Sequence, residues 1–209
     1  MIESSLILIY FSIIIILQSI IGVGVLVLGT PFLLILGYGM VEIFFILLPI
    51  SIITSFLNLL IMNFSYKTLD RSTFKEFRKF FIICIPSIFV GLVLLKTFDE
   101  YLNFKYLVAI IIFFSLAIVL FKDKIKFRVN FFRISILSIV GVVHGLTNSG
   151  GTLMSLALSV KNKKEYARLN TSFFYLILAS FQYCLTTIIF YDRFLFPNNY
   201  KLVAIIIVG

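Results

Sequence analysis

The stretch from Ile134 to Val160 reads ISILSIVGVVHGLTNSGGTLMSLALSV: apolar at both ends and interrupted between His144 and Thr152 by polar residues and glycines. It is flanked by charge. Lys122–Arg133 carries five positive and one negative side chain, and Lys161–Arg168 carries four positive and one negative. Lys and Arg collect in the loops that face the cytoplasm. Both ends of the stretch therefore belong on the same side of a membrane, and the chain between them must enter and return.

The first apolar stretch, Leu6–Leu36, has the same character. It is too long for one straight span and short for two, and Gly22, Gly24, Gly29 and Pro31 interrupt it. With no positive charge at either end, both its ends fit the outside. The same element thus occurs twice in opposite orientations, which is the footprint of an inverted repeat. The expected fold is an all-α polytopic membrane protein of two inverted repeats, residues 1–125 and 126–209. Each repeat opens with a broken-helix hairpin, and about seven membrane helices are expected. The last apolar run, Leu202–Gly209, is too short to cross a bilayer, so the second repeat is expected to be C-terminally incomplete.

Composition agrees. Of 209 residues 61% are apolar and 13% charged, with a mean hydropathy of +1.15. One span takes roughly 20 apolar residues, so there is room for about six or seven. That excludes a water-soluble domain, and the long continuous runs argue against a β-barrel. The net charge of +9 is read as cytoplasmic loop charge rather than as nucleic-acid binding. Further spans are expected at about Val41–Met62, Phe80–Leu95, Phe104–Phe121 and Asn170–Tyr191. The basic stretch Lys67–Lys79 reads as a topology-setting loop, or as an amphipathic surface segment carrying Phe74, Phe77 and Phe81.

Cys84 and Cys184 lie in apolar runs, and no metal-ligand or nucleotide-binding spacing occurs. No metal, cofactor or enzymatic activity is expected. The chemistry-bearing residues fall at the two interruptions: Gln18, Ser19, Gly22 and Gly24 in the first, His144, Asn148, Ser149, Gly150 and Gly151 in the second. Glycines let a helix unwind, and a restarted half-helix presents free N–H donors toward a small anion. The competing reading is close helix packing, and Gly141-xxx-Gly145 has that spacing. His144 reads either as a packing residue or as a substrate contact. Glu42 reads as interfacial, with proton coupling the lesser alternative. Ser51, Thr54, Ser55 and Asn58 share one face of a helix that Pro49 would kink, either as a packing seam or as pathway lining. Arg168 reads as an anion contact at the cytoplasmic entrance or as a plain positive-inside charge.

Gln18-Ser19-x-x-Gly22-x-Gly24 with Pro31, Gly37 and Pro49-x-Ser51 resembles the first half of the TauE/SafE sulfite-exporter family. His144-Gly145-Leu146-Thr147-Asn148-Ser149-Gly150-Gly151, then Glu165-Tyr166-Ala167-Arg168 leading into Asn170-Thr171-Ser172, is similar to its second half. The chain departs from the pattern at Val25, where a further glycine is usual, at Thr152, where many members have proline, and in lacking the last helix or two. The resemblance implies a bacterial inner-membrane permease of two related halves, moving sulfite, sulfonates or related small anions. Its expected partners are that anion and the lipid bilayer, not nucleic acid, and both a monomer and a homo-oligomer stay open. The alternative of another class is a non-transporting membrane assembly or regulatory subunit.

Overall fold

The computed structural model describes residues 2–21, 25–66, 71–121, 129–151 and 164–194. Among these there is no strand. Seven helices run in order: α1 (Ile2–Ile21), α2 (Val25–Ile35), α3 (Met40–Tyr66), α4 (Arg71–Phe98), α5 (Phe104–Phe121), α6 (Val129–Thr147) and α7 (Lys164–Ile189), followed by a single turn, α8 (Tyr191–Phe194). Three segments among the described residues are long and apolar enough to cross a membrane: Met40–Ile61, Phe81–Phe98 and Leu169–Ile189. Shorter apolar helical segments are Ile9–Gln18, Val25–Ile35, Phe104–Ala117 and Ile134–Thr147. The terminal run Leu202–Gly209 lies outside the described residues.

The first apolar stretch is a hairpin, but an unequal one. α1 has 20 residues, about 30 Å of helix, whereas the 11 residues of α2 span only about 16 Å. The two are antiparallel: Tyr10 stacks on Phe32 at 3.6 Å between ring centroids and donates its hydroxyl proton to the Leu28 carbonyl. α2 stops at Gly37, whose φ of 93° is the left-handed geometry glycine tolerates. Tyr38 N–H bonds Leu33 O and Gly37 N–H bonds Leu34 O, a Schellman closure. α3 then starts at once, with the Glu42 carboxylate reaching back to accept the Gly39 N–H at 2.9 Å. Exposed Glu42 is thus the N3 half of a capping box.

α3 carries the densest core, with Met40, Val41 and every residue from Ile43 to Leu48 buried, and it runs through Pro49 without a break. It packs on α2 and most extensively on α7, where Phe45 meets Tyr183 edge-on. The other dominant pair is α4 with α6. Gly91, Gly141 and Gly145 form its seam: a Cβ at Gly145 would strike the Ile88 carbonyl, and one at Gly141 would lie 2.6 Å from Ser87 Cβ. The Gly141-xxx-Gly145 spacing is therefore used for close packing.

Contacts along this seam advance together. Cys84 lies by Leu137 and Gly141, Ile88 by Gly145, and Gly91 by Leu146. α4 and α6 thus run in the same direction. α7 ends where α4 ends, since Lys96 Nζ donates to the Ile189 carbonyl at 3.0 Å. The N-terminal ends of α4, α6 and α7 accordingly gather at one end of the bundle. α1 and α3 run the other way, toward that end: only four residues separate Tyr66 from Arg71.

The stretch Lys67–Lys79 differs from a simple loop. From Arg71 the chain is already helical and continuous with α4, so this helix begins nine residues before the span expected from Phe80. Residues 71–79 contain no glycine or proline, and their straight-chain charged residues favour helix. On the outer face of α5, Tyr106, Ile110, Phe113 and Phe114 are exposed, as suits a helix bordered by lipid.

Candidate functional site

The interruption in the second apolar stretch is a true helix break. α6 ends at Thr147, and Asn148 takes φ 60°, a left-handed conformation that asparagine adopts more readily than most residues. Ser149 forms the turn, with its N–H on Thr147 Oγ1 (3.3 Å) and its hydroxyl on the Thr147 carbonyl (3.2 Å). Helical geometry resumes at Gly150 and Gly151. His144, Thr147, Asn148 and Ser149 are all fully buried.

α7 holds this break in place. Gln182 Nε2 donates to the His144 carbonyl at 3.1 Å and to Asn148 Oδ1 at 3.0 Å. A carbonyl only accepts, so the first bond fixes which end of the Gln182 amide faces α6. The second bond then fixes Asn148, whose Nδ2 must point elsewhere. Tyr175, one helical face along α7, sets its ring edge-on to His144 with centroids 6.3 Å apart, and its hydroxyl fills the space where a side chain at Gly151 would lie.

Several polar atoms here are buried without a hydrogen-bond partner. They are Asn148 Nδ2, Tyr175 Oη, Gln182 Oε1 and both His144 ring nitrogens, with Ser172 Oγ and Thr186 Oγ1 further along α7. A buried polar group left unpaired costs on the order of 1–3 kcal/mol, so a group of them needs an occupant or a role.

Before the first interruption, Gln18 at the end of α1 is also tied to a later helix. Val25 N–H donates to Gln18 Oε1 at 2.8 Å, which fixes that amide. Gln18 Nε2 donates to Thr54 Oγ1 (2.6 Å) and Ser55 Oγ (3.4 Å), and Asn58 Nδ2 donates to the Gln18 carbonyl (3.5 Å). The Thr54–Ser55–Asn58 face is thus the partner surface of Gln18. Ser51 Oγ on the same face is buried and unpaired. In both halves a side chain at the end of one helix bonds a later helix, at sequence separations of 36 and 34. Gln18→Leu strips Val25 N–H of its acceptor, and a loss of about 1–3 kcal/mol of stability is expected. Thermal melting in detergent reads this directly, and an unchanged midpoint would show that the Gln18 bonds contribute nothing.

The sequence model of the family described as sulfite exporter TauE/SafE matches residues 6–209, nearly the whole chain. The chain belongs to the TauE/SafE sulfite exporter family. No curated protein and no solved structure matches it. As a TauE/SafE member it falls in a family of membrane transporters, and its apolar helices make it a multi-pass membrane protein.

In this TauE/SafE chain the candidate residues divide. His144, Asn148, Ser149, Gly150 and Gly151 come together at the break, and Gln18 is the hub of the first-half network. Ser19 is helical within α1, but its side chain, like Gly22 and Gly24, lies outside the described residues. Arg168 is on α7, and its side chain too lies outside them. Seven residues, about 10 Å of helix rise, separate it from Tyr175, so it stands apart from the break. Gln182, Tyr175, Ser172 and Thr186 were missed in the sequence. Their spacing with Ala179, at 172, 175, 179, 182 and 186, is a helical stripe that could have flagged them.

Proposed function

We propose that the protein is a bacterial inner-membrane permease that moves a small anion, sulfite or an organosulfonate, by alternating access between two inverted repeats. The observation that carries this reading is the break at Asn148–Gly150, where buried hydrogen-bond donors stand without partners inside an apolar helix bundle. A small anion satisfies donors that water or lipid would otherwise have to meet. The opposite directions of α1 and α3 against α6 and α7, and the matching bonds of Gln18 and Asn148, support the repeat. In this reading Gln18, Ser19, Gly22 and Gly24 are the first repeat's contribution to the pathway, and Arg168 is a contact for the anion at the cytoplasmic entrance.

Reconstituted into proteoliposomes, the protein is expected to carry radiolabelled sulfite or methanesulfonate down a gradient. No flux of sulfite, a sulfonate or a small carboxylate would overturn the reading in favour of a non-transporting subunit. Orientation has its own test. With Cys84 and Cys184 replaced, single cysteines at Glu3 and Lys163 should label from opposite sides of the membrane. Labelling from the same side would exclude the inverted repeat.

A further inference from the structure

The break at Asn148 is polar and lies in a stretch, residues 134–160, without a Lys, Arg, Asp or Glu. Among the described residues no Lys, Arg, Asp or Glu side chain is buried. The groups available to a ligand are Asn148 Nδ2 and Tyr175 Oη as donors and Gln182 Oε1 as acceptor, with the two ring nitrogens of His144 beside them. Gln182 is held in that orientation by the His144 carbonyl, so its acceptor is not free to turn away.

Two consequences follow. The cost of taking an ion out of water grows as the square of its charge, so a dianion costs four times what a monoanion of equal size does, and neither residues 134–160 nor residues 169–191 carry a Lys or Arg to offset it. Sulfate also has a charged oxygen in every direction, one of which would press against the lone pairs of Gln182 Oε1, whereas a singly charged organosulfonate can turn its apolar end there. We propose that this site, taken as the substrate site of the permease reading on which the inference rests, selects singly charged oxyanions against doubly charged ones, with Tyr175 and Asn148 as donors and Gln182 as the residue that positions Asn148.

Methanesulfonate and sulfate are suitable probes, being tetrahedral ions that differ by a methyl group in place of a charged oxygen. Calorimetric titration of the full chain in nanodiscs at neutral pH should give methanesulfonate an affinity higher by about tenfold or more. Tyr175→Phe, which keeps the ring, should weaken methanesulfonate about tenfold while leaving the melting temperature in place. Asn148→Asp keeps the oxygen that Gln182 bonds but replaces the donor with a carboxylate oxygen, and should abolish methanesulfonate binding. Sulfate binding as tightly as methanesulfonate would overturn the charge selection alone. Unchanged affinity in folded Tyr175→Phe would overturn the placement against α7. No binding of either anion to the wild-type chain would overturn the anion site itself, and this inference with it.

Discussion

Gly145→Leu is expected to abolish the folded state. A Cβ at this position would strike the Ile88 carbonyl and lie 3.1 Å from Ile88 Cα, so the obstacle is backbone and not the end of a flexible side chain. The facing glycine is equally committed: a Cβ at Gly91 would run into the Val142 carbonyl and reach within 3.0 Å of Gly145 Cα. Overpacking a well-filled core costs about 1–3 kcal/mol when side chains can give way, and more where they have no room. Domains hold only about 5–15 kcal/mol in total. A leucine at 145 must separate α4 from α6 along the most extensive contact in the bundle. Size-exclusion chromatography after detergent extraction should show aggregate in place of a monodisperse peak. A well-behaved variant with native melting would mean that the two helices do not approach as described.

Gly150→Leu is expected to reduce anion flux in proteoliposomes to the protein-free background. Gly150 is the first helical residue after the break, folded back on α6, where a Cβ would lie 2.7 Å from His144 Cβ and 2.9 Å from His144 N. A branched side chain there displaces His144 and disturbs the turn that Gln182 holds through the His144 carbonyl and Asn148 Oδ1. Alanine is the graded control, since it adds only the Cβ, and it should retain more folded protein and intermediate flux. Flux in the leucine variant equal to wild type would remove this break from the transport pathway. A Cβ at Gly150 also meets backbone, 2.5 Å from the Val140 carbonyl, so flux is read on the monodisperse fraction, and the alanine variant separates loss of transport from loss of folding.

Much of this was legible in the sequence because an apolar chain makes its exceptions conspicuous. Thr147-Asn148-Ser149-Gly150-Gly151 stands out in an otherwise lipid-like run, and the helix does break there. Charge was as informative, since α4, α6 and α7, each preceded in sequence by a basic stretch, begin at the same end of the bundle. The partners of each break were harder. Gln182 is a single amide among apolar residues, and only its position opposite His144 gives it a role. The start of α4 was placed late because hydropathy marks where a helix enters lipid, not where its hydrogen bonding begins. Gly141 and Gly145 were ambiguous between packing and unwinding until the backbone of α4 was seen against them.

The glycine seam also orders events in time. Its two faces, around Gly91 and Gly145, are 54 residues apart in the chain, with α5 between them. At a synthesis rate of about 5–20 residues per second, α4 spends roughly 3–11 seconds on the ribosome-bound chain before its partner exists. During that interval a concave, side-chain-poor groove faces lipid or the insertion machinery. α5, which makes few contacts with the bundle, has to settle without closing the gap that α6 will fill. Biogenesis of this protein therefore contains a waiting state, and the period before α6 emerges is when a quality-control protease has its clearest opportunity.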